Sequence, residues 1–408
     1  MICRFCNHPL TVEFIDLVNS PASNSFLTKE QLNEPEMYYP LKVFVCDNCF
    51  LVQVDEYKKS DAIFDNSYAY FSSYSSSWLT HSKKYVEMVR ERFALNSSSQ
   101  VVEIASNDGY LLQYFLPYGI PVLGIEPTKN TAEVAILKGI PCITEFFGVA
   151  LATELHGLGK RADLIIGNNV LAHVPNILDF VAGMKIMLNE GGVVTMEFPH
   201  LAQLIDNNQF DTIYHEHFSY LSLYFAKRIF ESQGMEIFDV EELPTHGGSL
   251  RIYAKHMGDP KHPILPSVSN LLEREQKKGI NNIEYYKGFQ QKAEKVKVDL
   301  LQFLVAQKKE NKKVAGYGAA AKGNTLLNYC GDKKDFLQFV MDANPAKQNK
   351  FLPASHIPVF DESELKKQKP DFVIILPWNL RDEIVQQLSY IREWGGKFVI
   401  PIPQLEII

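Results

Sequence analysis

Apolar and polar positions alternate along this chain in blocks, and each change of rhythm marks an expected element. Short apolar runs at Val101–Ile104, Val122–Ile125, 163–167, 192–198, 339–342 and 371–376 fit buried strands, and the stretch 177–188 between two of them has helical spacing. Strands alternating with helices predict an α/β protein with parallel, doubly wound sheets. An earlier strand-like run, Val43, Phe44 and Val45, belongs to a short β-rich module ending near residue 60. Prolines 263 and 266 mark a hinge-like break, followed by a charged helical stretch to about Asn311. The resulting division is a small module over 1–65, a nucleotide-fold-like domain over 66–260 and a second one over 261–408.

The ends of the strands carry the candidate chemistry, because open α/β sheets bind ligands outside the carboxyl ends of their strands. After the run at 101–104 comes the turn Ala105, Ser106, Asn107, Asp108, Gly109, with Tyr110, Leu111 and Leu112 expected to open a helix. The next strand ends in Glu126, placed where a carboxylate could accept both hydroxyls of a ribose. One glycine stands in the turn where a dinucleotide fingerprint has three, so this is not the pattern of a nicotinamide site. Asn168, Asn169 and His173 follow a third strand. In the last domain a strand runs into Gly316, Tyr317, Gly318, Ala319, Ala320, Ala321, Lys322, Gly323, Asn324. Small residues there let backbone amides approach a diphosphate, and Lys322 adds a charge; the same glycines also serve tight strand–helix packing. The tract from Ser67 to Ser77 interleaves hydroxyls with Tyr68, Tyr70 and Tyr74, suiting both a loop with a helix N-cap and a cover over a ligand.

Composition narrows the class. The 408 residues carry a formal net charge of −7, which argues against a nucleic-acid partner. No apolar stretch is long enough to span a membrane, and the start of the chain lacks a signal-peptide pattern, so a cytoplasmic location is expected. Four of the six cysteines form two pairs, Cys3 with Cys6 and Cys46 with Cys49. Two such knuckles make an all-thiolate tetrahedral set, which suits structural zinc and leaves no open coordination position. Bound metal would supply folding free energy that so small a module lacks. The solitary Cys142 and Cys330 read as buried apolar residues.

The densest chemistry lies at Tyr214, His215, Glu216 and His217, followed by Phe218, Ser219 and Tyr220. The two histidines are two positions apart, which excludes a helical zinc-protease pair. An imidazole, a carboxylate and a phenol together can provide a general base, a group to orient it and a donor to a developing oxyanion.

Taken in order, the paired cysteines, Glu103 to Gly109, Tyr214 to Tyr220, His246-Gly247-Gly248-Ser249-Leu250-Arg251 and Gly316 to Gly323 resemble the bacterial sugar C-methyltransferases that act on nucleotide-linked 4-keto-6-deoxyhexoses, from end to end. The resemblance implies a zinc module, a central S-adenosylmethionine-binding domain of the class I Rossmann-like type, and a carboxy-terminal Rossmann-like domain that helps hold a nucleoside-diphosphate sugar. It places Glu103, Ala105, Asn107, Asp108 and Gly109 around the methionine part of the cofactor, Glu126 on its ribose, and Asn168 or Asn169 at its amino group. Tyr68, Tyr70, Ser72, His246, Gly318, Ala320, Lys322 and Asn324 are candidates for holding the substrate.

Methylating carbon with a sulfonium donor needs a carbon nucleophile, which beside a ketone is an enolate. His217 is therefore expected to remove the C3 proton, Glu216 or Tyr214 to orient it or hydrogen-bond the enolate oxygen, and His173 to assist on the oxygen side. Methyl transfer to oxygen or nitrogen of another small metabolite is the alternative; a zinc-bearing nucleic-acid binder and a nicotinamide enzyme using Asp342 are more distant ones. The nucleotide carrying the sugar is expected to be thymidine or guanosine diphosphate.

Overall fold

The computed structural model describes residues 1–59 and 70–408; the candidate Tyr68 lies outside the described residues. Three sheets organise the described residues. The first is antiparallel, with strands in the order β1 (Val12–Ser20), β2 (Tyr39–Val45), β3 (Val52–Val54) and β9 (Ser219–Tyr220). Its fourth strand comes from the central domain, immediately after the His-Glu-His run. Val52 pairs with Tyr220, and Gln53 with Ser219.

The central sheet has seven strands: β10 (Met235–Leu243), β11 (Ser249–His256), β8 (Leu188–Pro199), β7 (Ala162–Asn168), β4 (Val101–Ile104), β5 (Val122–Ile125) and β6 (Cys142–Ile143). The five from β8 to β6 are parallel, while β11 is antiparallel to both its neighbours. Fully buried runs such as Val101, Val102, Glu103, Ile104 follow from helices covering both faces. The strand order reverses between β4 and β7, so Ala105–Gly109 and Asn168–His173 flank one crevice.

The third sheet runs β14 (Val359–Phe360), β13 (Val340–Met341), β12 (Val314–Tyr317), β15 (Phe372–Ile375), β16 (Lys397–Ile400) and β17 (Glu406–Ile407), parallel except for β17. Its reversal lies between β12 and β15, beside Lys322 and Asn379. Both α/β units are Rossmann-like, as the strand–helix alternation predicts.

The expected helix after β4 is replaced by two short 3-10 turns, Leu112–Tyr114 and Leu116–Tyr118. Pro117 contributes no amide hydrogen, and Gly119 turns left-handed (φ 64°), which ends the segment. Helix Ser76–Arg92 starts as a serine cap should, with the Trp78 amide donating to Ser75 Oγ at 3.2 Å. The hydrophobic core is shared between units. Cys3, Cys46, Cys49 and Leu51 pack into the central domain's core, whereas Phe14, Ile15 and Val43 pack with Phe289, Leu300 and Leu326 of the last domain. Among the described residues the amino-terminal module thus packs into the cores of its two neighbours, in keeping with its size.

Candidate active site

At the carboxyl end of β4 the chain makes a tight, left-handed reversal, with Ala105 at φ 57°, Asn107 at 49° and Gly109 at 74°. A side chain at Gly109 would collide with Ile140, which explains the one glycine in this turn. Glu103 is fully buried; beside the Tyr110 hydroxyl its two oxygens otherwise make no hydrogen bond, and burial raises its pKa well above the ordinary value. Asp108 Oδ1 is likewise buried and unpaired. Such orphaned acceptors at a strand's carboxyl end fit a cationic amino group brought by a ligand. Glu126 accepts the Asn107 amide and the Thr128 amide, each at 2.8 Å, and the Thr128 hydroxyl. Its carboxylate thus braces the turn and lies in the same crevice. Asn107 in turn accepts the Ser72 amide at 2.9 Å and donates to the Tyr70 carbonyl at 3.1 Å, tying the hydroxyl-rich tract over the turn through backbone groups. Asn168 reaches the Tyr110 hydroxyl at 3.4 Å, and Asn169 donates to His246 Nε2 at 3.0 Å.

The His-Glu-His run forms a turn, and its side chains part company. His215 donates through Nε2 to the Pro40 carbonyl at 3.1 Å and packs against Tyr39 and Tyr57, so it joins the amino-terminal module. Glu216 accepts from Asn24 at 2.7 Å; burial raises its carboxyl to about 7. The expectation that Glu216 orients His217 gives way to a different partner. His217 Nδ1 contacts the Thr212 carbonyl at 2.8 Å, and a carbonyl can only accept, so Nδ1 carries the hydrogen and Nε2 keeps its lone pair. Tyr214 lies over the His217 ring with centroids 4.0 Å apart, and His173 meets it edge-on at 4.6 Å. Burial first, then His173, His246 and Lys322, hold the His217 pKa well below the usual range. His217 is a neutral imidazole at pH 7.

The carboxy-terminal domain supplies the opposite wall. Its Gly318 and Gly323 are required by packing, since a side chain at either would strike Pro377 or Leu376. Three of the amides expected to cradle a diphosphate are engaged inside the chain: Gly318 N donates to the Met341 carbonyl at 2.7 Å, Ala319 N to Asp342 at 2.7 Å and Ala320 N to the Gly318 carbonyl at 2.8 Å. Asn324 donates to the Ser23 carbonyl at 2.6 Å and is a joint between domains. Lys322 differs. Its ammonium bonds Asn379 at 2.7 Å across the strand reversal and rests on the Trp378 ring at 4.5 Å, while Trp378 donates to Asp211 at 2.7 Å and covers Gly247. The reversal points of the two α/β units thereby face one another across His217 and His246.

Several residues here gave no signal in the sequence. Asp211 is fully buried, with one oxygen unpaired and its pKa raised to about 6 by burial. Glu197 accepts from Arg251 at 2.7 Å, Thr245 at 2.8 Å and His81 at 2.9 Å. Trp78 stacks on His81 and touches His246 and Tyr110. Of these, Glu197 stood near the end of an expected strand, as did Trp378, without anything in the sequence marking what either would meet.

The four sulfurs of Cys3, Cys6, Cys46 and Cys49 lie within 4.8 Å of one another, with Cys3–Cys49 and Cys6–Cys46 at 3.5 Å. A tetrahedron of Zn–S bonds near 2.3 Å needs sulfur pairs about 3.8 Å apart, so the set fits structural zinc. Among the described residues no helix is long and apolar enough to cross a membrane.

The chain matches three protein families in succession: a zinc binding domain over residues 3–64, a methyltransferase domain over 78–240 and a C-methyltransferase C-terminal domain over 244–403. It is 34% identical to the C-methyltransferase NovU of Streptomyces niveus, across all of this chain and 96% of that one. Solved structures with partial likeness include an S-adenosylmethionine-dependent methyltransferase from Anabaena variabilis (15% identity, 50% of this chain and 99% of that one, TM-score 0.37). Another is the magnesium protoporphyrin IX methyltransferase of Synechocystis (14%, 43% and 82%, TM-score 0.35). With its zinc module and cofactor crevice in place, the chain belongs to the sugar C-methyltransferase family and is an S-adenosylmethionine-dependent C-methyltransferase.

Proposed function

We propose that this enzyme methylates C3 of a nucleoside-diphosphate-linked 4-keto-6-deoxyhexose through an enolate, with His217 as general base. The observation that carries the reading is the Nδ1 contact of His217 with the Thr212 carbonyl, which fixes the tautomer and leaves Nε2 of the buried ring with its lone pair. S-adenosylmethionine, when bound, supplies an electrophilic methyl group on a sulfonium; Glu103, Asp108 and Glu126 are the residues that would hold it. His217 Nε2 takes the C3 proton, and the electrons move onto the C4 carbonyl oxygen. The Tyr214 hydroxyl and His173 stand beside His217 to meet that oxygen. Lys322 works in the same direction, since the positive field that disfavours an imidazolium at His217 favours an enolate. The carbon so activated would bond the methyl group as its C–S bond breaks, the bonding pair leaving on sulfur as a neutral thioether.

Lys322, His246 and the Tyr70–Ser72 segment are the proposed contacts for the nucleotide-sugar, thymidine- or guanosine-linked, and a cytoplasmic location follows from such a substrate. The test is incubation with the cofactor and a panel of these 4-keto sugars in heavy water, followed by NMR. New carbon-bound methyl at C3 in wild type, with loss of both methylation and C3 deuteration in His217→Asn, is expected. Methylation at oxygen or nitrogen, or most of the turnover surviving in His217→Asn, would overturn the reading.

A further inference from the structure

Arg4 stands between two of the zinc-site cysteines, far from His217 in sequence, yet its guanidinium reaches the segments that carry both catalytic imidazoles. Nη1 donates to the Pro175 carbonyl at 3.1 Å, two residues beyond His173. Nη2 donates to the Val54 carbonyl on β3, and the Val54 amide in turn donates to the Phe218 carbonyl at 3.2 Å, next to His217. The guanidinium also lies over the Phe218 ring, 5.4 Å from its centroid. The Phe218 amide donates to the Ala172 carbonyl at 2.8 Å and the His173 and His217 rings touch, so the two segments meet directly, and Arg4 clamps them from the side of the amino-terminal module.

The clamp is rooted at the metal site. The Arg4 amide donates to Gln53 Oε1 at 3.0 Å, and Gln53 Nε2 donates to Cys3 Sγ at 3.2 Å. Gln53 is fully buried and is the residue of β3 that pairs with Ser219 of β9. Thus one side chain of β3 touches a zinc-site sulfur while its backbone holds the strand that follows the catalytic turn. A flat, forked cation can span two carbonyls on different segments and lie over an aromatic ring at once, which an ammonium cannot.

We propose that Arg4 is a positioning residue through which the zinc knuckle sets the placement of His173 against His217. It touches neither substrate nor cofactor; it acts by holding the Pro175 and Phe218 segments in one geometry. The proposal deepens the reading of His217 as base and rests on it for its kinetic arm. General-base transfer tolerates little misplacement, with a shift of about 1 Å costing on the order of a hundredfold in rate.

The experiment uses the full-length, zinc-loaded protein with Arg4→Met and, as the variant that keeps the charge, Arg4→Lys. Metal content and S-adenosylmethionine affinity are measured first, then kcat and KM on the keto sugar, then the side-chain nitrogen spectrum of 15N-histidine-labelled protein. Expected for Arg4→Met are retained zinc, cofactor affinity within about twofold, kcat reduced ten- to a hundredfold with little change in KM, and displaced His173 and His217 resonances while those of the remote His256 and His262 stay put. Arg4→Lys recovers part of kcat. Unchanged kcat with unchanged histidine resonances overturns the proposal. So does loss of zinc or of cofactor affinity in parallel with kcat in both variants, because that marks a general structural role. If wild type itself turns over no keto sugar, the functional reading fails, and the histidine spectra still decide whether Arg4 positions the pair.

Discussion

Replacing Glu197 by Gln tests the polar network behind the active site. Glu197 is fully buried at the carboxyl end of β8 and accepts from Arg251, His81 and Thr245. Burial alone would raise its pKa, but the His81 hydrogen bond and the Arg251 charge outweigh it and hold the carboxyl at about 2, against an ordinary 4.5. At 1.36 kcal/mol per pH unit that difference corresponds to about 3 kcal/mol of stability, within the range expected when one partner of a buried pair is removed. The sign follows from a depressed folded-state pKa. The contribution is fully present above pH 4.5 and is lost as pH falls toward 2. Urea denaturation of Glu197→Gln should therefore show a loss of about 3 kcal/mol at pH 7, shrinking to about half by pH 3. Heating at pH 7 should show a Tm lower by roughly 6–12 °C for a unit of this size. Because Thr245, whose hydroxyl donates to the Glu197 carboxylate at 2.8 Å, directly precedes His246, the variant should also slow methyl transfer. A loss below about 1 kcal/mol at pH 7, or one that stays constant from pH 7 to 3, would refute the argument.

Other perturbations follow from the same contacts. Glu126→Ala should weaken S-adenosylmethionine binding by calorimetry about tenfold or more, with bound-state turnover less affected, because the left-handed turn loses its brace; equal affinities would count against it. Lys322→Met removes one of the charges that depress His217, so the acid limb of the kcat/KM profile should move toward neutral pH while kcat falls; an unmoved limb would separate Lys322 from the base. Asp332 is buried with neither oxygen hydrogen-bonded, and burial, then Asp335, raises its carboxyl to about 7. A raised folded-state pKa means wild-type stability falls as pH rises from 3.8 through 7. Asp332→Asn should thus stabilise the protein at pH 8 by a few kcal/mol, on the order of the shift, and very little at pH 4; equal gains at both would exclude ionisation as the cause.

Much of this protein was legible in the order of its residues. Buried strands of the parallel sheets announce themselves as unbroken apolar runs, because both faces are covered and neither needs a polar partner. The cysteine pairs carry their own spacing rule, and the acid ending β5 stands where the sheet topology puts ligands. What the sequence could not decide are directions. Within three residues, His215 turns to Pro40, Glu216 to Asn24 and His217 to Thr212, and a turn's side chains point wherever the surrounding domains offer a partner. The glycines near Lys322 looked like a diphosphate cradle and serve packing against Leu376 and Pro377, while Lys322 itself faces the other domain. Arg4, Asn24, Glu197 and Trp378 enter the site from far along the chain, because three sheets share their cores and lend each other strands. Periodicity along a chain fixes which face of an element is buried; which distant side chain meets it there is settled only when the elements pack.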